Sequence, residues 1–130
     1  MKFLVGYNGS DVAKSALAVA RTYAKRLNAE VAVMTSMGGG GKETIEDISK
    51  VEQDLLYAEK FLEAEGVKCE THQLARGVSP GEDMVFFVKE NDIDQLFVGV
   101  EKKSRTRKMF MGSTAQYVIL KASCPVTAVK

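Results

Sequence analysis

Short apolar segments alternate with longer stretches of helical periodicity along the chain, and this alternation restricts the fold more than any other feature. Five segments are predicted as strands: residues 2–7, 30–35, 67–74, 95–98 and 126–129. The first strand is apolar on both faces, as is typical of a parallel sheet with helices packed on either side. The third alternates polar and apolar residues, which places it at an edge.

Four stretches between these strands carry apolar residues at the spacing of a helix face. They are residues 11–27, 42–65, 79–91 and 113–121. Repeated β-α units predict an open α/β fold with right-handed crossovers and helices on both faces of the sheet. The predicted inward residues are Ala13, Ala16, Leu17, Ala20, Ala24 and Leu27 in helix one, Ile45, Ile48, Val51, Leu55, Ala58 and Leu62 in helix two, Met84, Phe87 and Val88 in helix three, and Ala115, Val118, Ile119 and Ala122 in helix four.

The length and composition fit one domain over residues 1–130, because 130 residues with 45% hydrophobic content can bury a core. No apolar run approaches the roughly 20 residues that a membrane helix needs. The first residues indicate a strand instead of a signal peptide. Cys69 and Cys124 do not make a disulfide framework, and we expect ordinary, partly buried thiols. These features predict a cytoplasmic protein with no membrane partner.

Positive charge is concentrated in the connection between strand four and helix four. Residues 102–108 carry five lysines and arginines, preceded by the carboxylate of Glu101, although the net charge of the chain is only +1. The segment lacks the interleaved aromatic residues on which nucleic-acid bases stack, so nucleic-acid binding is not expected. A local anion site is indicated instead, with a solvated loop as the alternative.

Glycines bound the same connection, with Gly99 where the strand ends and Gly112-Ser113 where the helix begins. A helix N-terminus offers unpaired N–H groups and a partial positive charge, which suits a phosphate. Ser113 could equally serve as an ordinary N-cap. Open α/β sheets bind ligands beyond the carboxyl ends of their strands, so the loops after strands one and four are the candidates.

Other reactive residues receive no role from the sequence. His72 has no metal-ligand partner at a suitable spacing, and we expect it to face solvent on the edge strand. Met109, Phe110 and Met111 are predicted to pack beneath the start of helix four. We find no Ser-His-Asp set, no His-Glu metal pair and no paired carboxylates in the pattern, which favours binding without fast turnover.

Four segments resemble the universal stress protein family. They are FLVGYNGS at residues 3–10, GVEK at residues 99–102, MGSTAQ at residues 111–116 and SCPVTAV at residues 123–129. The resemblance covers essentially the whole chain. It implies a five-stranded parallel sheet of order 3-2-1-4-5, of the adenine-nucleotide alpha-hydrolase-like type, and many members of the family bind ATP.

The family's ATP motif reads glycine, two residues, glycine, nine residues, glycine, then serine or threonine. Gly99 matches the first glycine, and Gly112-Ser113 match the last pair at the correct spacing. Lys102 replaces the second glycine, where it could add a donor for phosphate or obstruct the pocket. Asn8 stands where nucleotide-binding members usually have aspartate. It can hydrogen-bond a ribose but cannot offer a carboxylate to phosphate-bound Mg²⁺.

The resemblance implies a site for ATP, ADP or AMP, together with Mg²⁺ if the phosphates carry it, in a regulatory module of the stress response. The predicted site residues are Gly6, Tyr7, Asn8, Ser36, Gly99, Val100, Lys102, Gly112, Ser113 and Thr114. Ser36 is expected near the adenine through backbone contacts. A homodimer through strand five, Val126–Val129, is also implied. The alternatives are an interaction module of the same fold without nucleotide, and a slow ATPase that uses Glu101.

If Lys102 contacts the phosphates, Lys102→Ala should weaken binding of ATP more at low than at high ionic strength, because salt screens the charge that the variant removes. Equilibrium titration with a labelled ATP analogue over a salt series measures this difference. Equal affinities of the wild type and the variant at every ionic strength would remove Lys102 from the site.

Overall fold

The computed structural model describes residues 1–39, 41–101 and 112–130, in which strands and helices alternate as the sequence predicts. The elements are β1 (Lys2–Gly6), α1 (Asp11–Leu27), β2 (Glu30–Ser36), α2 (Ile45–Glu63), β3 (Cys69–Leu74), α3 (Pro80–Glu90), β4 (Gln95–Gly99), α4 (Ser113–Lys121) and β5 (Val126–Val129). The predicted strand ends differ from these bounds by no more than two residues.

The five strands form one parallel sheet in the order β3-β2-β1-β4-β5, which confirms the expected fold. β1 lies at the centre, with Phe3 opposite Val31 on β2 and Val5 opposite Phe97 on β4. The chain therefore leaves β1 toward β2 on one side and returns to β4 on the other. The carboxyl ends of these three strands meet at the edge where open sheets place their ligands.

Alternate side chains of the strands point to opposite faces and form two apolar layers. One layer joins Phe3 and Phe97 to α1 and α2, and the two rings lie 5.2 Å apart between centroids. The other joins Leu4 and Leu96 to α3 and α4. Because β1 and β4 are buried on both faces, they form a rigid base for the loops at their carboxyl ends.

Side chains cap the first and third helices at their N-termini as the sequence indicates. Ser10 Oγ accepts a hydrogen bond from the N–H of Ala13 (3.2 Å) at the start of α1. Ser79 caps α3, with Pro80 at its first position. Both caps lie at the carboxyl edge of the sheet.

The second helix begins at Ile45 and not at residue 42 as predicted, because Thr44 forms a capping box with Asp47. Thr44 Oγ1 accepts from the N–H of Asp47 (3.1 Å), and Asp47 Oδ2 accepts from the N–H of Thr44 (2.9 Å). The hydrogen bonds from Thr44 lower the pKa of the Asp47 carboxyl. The reciprocal cap leaves residues 42 and 43 outside the helix.

Four of the predicted inward residues are exposed instead. Ile45 and Ile48 are 80% and 39% exposed, and Leu27 and Ile119 also face outward. The predicted covering of the first turn of α2 is wrong because the helix packs on the sheet only further along, through Leu55, Ala58 and Leu62. The periodicity predicts the correct face of α2, but it does not show where along the helix the contact with the sheet begins.

The predicted exposure of His72 is met only in part, since its side chain is 31% exposed, whereas the two cysteines are partly buried as expected. The His72 ring packs edge-on against Phe87 with centroids 4.8 Å apart, and its Nε2 lies 3.2 Å from Glu70 Oε1. α3 covers this part of β3, so the edge strand is only partly open. Burial raises the pKa of both thiols, Cys69 and Cys124, so they stay protonated at neutral pH.

Within the described ranges, none of the helices is long and apolar enough to cross a membrane. The packing expected of Met109, Phe110 and Met111 concerns residues outside the described ranges.

The exposure of α2 predicts unequal costs for two truncations on the same helix. Ile45→Ala should change the free energy of unfolding by less than about 0.5 kcal/mol, because the side chain is already in solvent. Leu55→Ala should lower it by about 2–5 kcal/mol, because it leaves a cavity above the sheet. Urea unfolding followed by circular dichroism measures both variants. Equal losses would show that the first turn of α2 is covered in solution.

Candidate functional site

A cleft lies at the carboxyl edge of the sheet, between residues 8–10, which follow β1, and the start of α4. Its walls combine the ends of three strands with the first turns of three helices. The described residues that line it are Gly6, Tyr7, Asn8, Ser10, Val12, Ala13, Thr35, Ser36, Pro80, Met84, Val98, Gly99, Glu101, Gly112, Ser113, Thr114 and Ala115. Eight of the ten predicted site residues are among them.

Tyr7 supplies main chain to the cleft, while its side chain belongs to the core. Its N–H donates to the carbonyl of Met34 (2.9 Å), and its carbonyl accepts from Thr35 Oγ1 (2.7 Å). Burial, followed by the neighbouring Tyr57 and Asp54, raises the pKa of Tyr7 to about 12. The phenol is therefore protonated at neutral pH. These two hydrogen bonds, both made by the main chain of Tyr7, hold the end of β1 against β2. The floor of the cleft is therefore fixed.

The β1–α1 turn, residues 8–10, forms one rim of the cleft. Asn8 Oδ1 accepts a hydrogen bond from the N–H of Ser10 (3.1 Å), so the side chain also shapes the turn. Gly9 lies in the left-handed region with φ of 77°. Because the oxygen of Asn8 is engaged, its amide NH₂ is the group best placed to donate to a ligand.

The start of α4 forms the opposite rim, and no side chain among the described residues caps it. Gly112 is the N-cap residue, and Ser113 is the first helical residue and not the cap that the alternative interpretation required. The first intrahelical bond runs from the N–H of Gln116 to the carbonyl of Gly112 (3.1 Å). The N–H groups of Ser113, Thr114 and Ala115 precede that bond, and all three residues line the cleft. This geometry suits an anion.

The two glycines of the sequence motif differ in whether the surrounding structure leaves room for a side chain. A Cβ at Gly99 would lie 2.6 Å from the carbonyl carbon of Val12 and 2.8 Å from the N atom of Ala13. Gly99 is therefore required where α1 meets the end of β4, whatever the ligand. At Gly112, φ is −58° and no described heavy atom lies within 4 Å of such a Cβ. Packing within the described residues does not require glycine there.

One predicted site residue, Val100, is described but is not in the cleft lining, and another, Lys102, lies outside the described residues. The N–H of Val100 donates to the carbonyl of Val129 (2.7 Å), which extends the pairing of β4 with β5 beyond the cleft lining. Lys102 lies outside the described residues, as do Lys103, Arg105, Arg107 and Lys108. Their proposed contact with phosphate stays a prediction.

The sequence missed the wall that α3 contributes through Pro80 and Met84. Met84 lies where a side chain at Gly6 would be, so the absence of a side chain there makes room for the thioether. The sequence feature that could have indicated this wall is Gly6, a residue without a side chain near the end of a buried strand. Helix periodicity had assigned Met84 to the core alone.

The polar side chains of the described lining are mostly hydroxyls, and the set is Asn8, Ser10, Thr35, Ser36, Glu101, Ser113 and Thr114. Ser36 Oγ is buried with no hydrogen-bond partner in this part of the chain. Glu101 is the carboxylate of the described lining. No group of three or more His, Cys, Asp or Glu side chains is placed to hold a metal ion in residues 1–39, 41–101 and 112–130. The described cleft therefore offers amide and hydroxyl groups more than metal ligands.

Comparison with known sequences identifies one family. The family model described as the universal stress protein family matches residues 1–130. A universal stress protein of Methanocaldococcus jannaschii is 31% identical over 140 aligned residues, which cover 99% of this chain and 81% of that protein.

Two solved structures of Archaeoglobus fulgidus proteins are similar over the whole chain. A universal stress protein is 37% identical with a TM-score of 0.92, covering 100% of this chain and 98% of the other. A second structure, a universal stress protein in complex with dAMP, is 34% identical with a TM-score of 0.87 and the same coverage.

The packing at the two glycines predicts a contrast in stability. Gly99→Ala should lower the free energy of unfolding by about 1–3 kcal/mol, because the added methyl group meets the backbone of α1. Gly112→Ala should change it by less than about 1 kcal/mol, because the backbone conformation is open to any residue. Urea unfolding of both variants tests this. Equal stability of the two would contradict the close approach at Gly99.

Proposed function

The chain belongs to the universal stress protein family, and we propose that it binds an adenine nucleotide in the cleft as a regulatory module. The observation that carries the proposal is the N-terminus of α4, which no described side chain caps and whose first three residues line the cleft. Amides at a helix N-terminus bind phosphate through hydrogen bonds and the helix dipole.

The order of the strands supports one orientation of the ligand. β4 and β2 flank β1, so their carboxyl ends lie about 10 Å apart at ordinary strand spacing. With the phosphate at α4 beside β4, the ribose lies over the end of β1 near Asn8. The base then lies over the end of β2, where Ser36 offers main chain and an unpartnered hydroxyl.

The ligand of a relative supports a nucleoside monophosphate as the first test molecule. The Archaeoglobus fulgidus universal stress protein solved with dAMP is 34% identical to this chain over its whole length. A single phosphate needs no more than the amides of α4. We propose that ADP and ATP place their further phosphates toward Lys102, and that Mg²⁺ would have Glu101 as its carboxylate ligand.

Slow ATPase activity is a second candidate, and the position of Glu101 in the cleft lining favours it. A general base needs a second group to orient the attacking water and a metal or cation to take up charge. The described lining supplies one carboxylate, which fits binding better than turnover.

We also propose a homodimer through Val126–Val129. β5 is the edge of the sheet beyond β4. The outer face of α4, which packs beside β5, exposes Ile119 and Leu120, the latter by 78%. An unpaired edge strand next to exposed apolar side chains favours pairing with a second copy.

A substitution at the first position of α4 tests whether its amides hold the phosphate. Ser113→Pro removes one N–H donor, but proline is well accepted at this helix position and Gly112 already has the extended conformation that proline favours in the preceding residue. Ser113→Ala removes the hydroxyl and keeps the N–H. We expect Ser113→Pro to weaken AMP binding about tenfold or more, because a hydrogen bond to a charged group is lost.

Isothermal titration calorimetry with AMP and with adenosine measures the effect. Ser113→Ala should bind AMP within about threefold of the wild type, since it retains the amide. Adenosine affinity should be the same in all three proteins. A wild type that fails to saturate at millimolar AMP would favour the interaction module without nucleotide. Equal AMP affinity of Ser113→Pro and the wild type would remove this amide from the phosphate site.

A further inference from the structure

The carboxylate of Asp54, on α2, lies against the β1–α1 turn although Asp54 is not part of the cleft lining. A Cβ built at Gly9 would lie 2.6 Å from Asp54 Oδ2 and 2.8 Å from Oδ1. Gly9 also has φ of 77°, a conformation that favours glycine. The carboxylate therefore fills the space that a side chain at residue 9 would need.

Asp54 is held in place from its own helix. Lys50, one turn earlier, places Nζ 2.7 Å from Asp54 Oδ2. The Asp54 side chain is 24% exposed, so most of it is covered by neighbouring groups. The carboxylate is fixed by this pairing and by the turn that it contacts.

The negative charge of Asp54 also affects Tyr7, the residue that precedes Asn8. It is one of the groups that raise the pKa of Tyr7, after burial and Tyr57. The carboxylate thus packs against Gly9 and raises the pKa of the Tyr7 phenol, and these two residues flank Asn8 in the sequence. None of the four segments that carry the family resemblance includes α2, and the sequence patterns assign Asp54 no role.

We propose that Asp54 is a positioning residue for the nucleotide site, which fixes the β1–α1 turn from the side away from the cleft. The link between Asp54 and a nucleotide rests on the proposed function, whereas the effect of Asp54 on the turn does not. Without the carboxylate, a turn centred on glycine gains conformational freedom, and binding must then order it. The side-chain amide of Asn8 would no longer be held toward the ligand.

Three variants separate positioning from charge and from general destabilisation. Asp54→Ala removes the packing against Gly9, and Asp54→Asn keeps the shape without the charge. Glu52→Ala removes an equal charge from an exposed position on the same helix. Isothermal titration measures the Kd for AMP, and amide hydrogen exchange of the ligand-free proteins reports on Gly9 and Ser10.

We expect Asp54→Ala to raise the Kd for AMP about three- to tenfold, as expected when a loop must be ordered on binding. Exchange at Gly9 and Ser10 should be faster in this variant. Asp54→Asn and Glu52→Ala should match the wild type in both measurements. The urea midpoint of Asp54→Ala should stay close to that of the wild type, because partly exposed ion pairs contribute little to stability.

Wild-type exchange rates in Asp54→Ala would overturn the positioning role, as would a loss of AMP affinity shared by Glu52→Ala. A fall in the urea midpoint that accounts for the loss of affinity would also overturn it. If the wild type binds no AMP, the proposed function fails. The exchange rates in the ligand-free proteins still decide whether Asp54 fixes the turn.

Discussion

The close approach of β4 to the first turn of α1 is the contact on which the rest of the site depends. Gly99 leaves no room for a side chain between the end of β4 and the backbone of Val12 and Ala13. This contact sets the end of β4 against the start of α1, and the cleft lies beside it. The first glycine of the motif is therefore required by the packing of β4 on α1, whatever the ligand.

The rims of the cleft differ in how their helix amides are satisfied. At α1, Ser10 caps the helix with its hydroxyl oxygen. At α4, the backbone turns into the helix at Gly112, and Ser113 comes one position too late to cap it. A chain that leaves polar groups unpaired loses stability unless water or a ligand satisfies them. Within the described residues, the helix end without a side-chain cap and the Ser36 hydroxyl without a hydrogen-bond partner both lie in the cleft, where such a cost is expected to serve function.

Replacement of the family's usual aspartate by Asn8 does not leave this region without carboxylates. Asp54 reaches the β1–α1 turn from α2, and Glu101 lines the cleft from the end of β4. Neither is in the position of Asn8, and their geometry suggests different uses. Asp54 packs on backbone outside the cleft, whereas Glu101 lines the cleft itself. Local periodicity could not reveal the placement of Asp54, because it depends on a contact between elements distant in sequence, whereas Glu101 is only two residues from Gly99 of the motif.

The sequence by itself determined the alternation of strands and helices, and its resemblance to a family gave the strand order and the motif at Gly99 and Gly112. Only the tertiary structure showed that Ile45 is exposed and that Met84 forms a wall of the cleft. It also decided that Ser113 follows the N-cap position. The physical reason is that helix and strand periods arise from local backbone geometry, which the chain encodes residue by residue. The burial of a side chain and the exposure of helix N–H groups depend on where the sheet ends and on which elements pack against it.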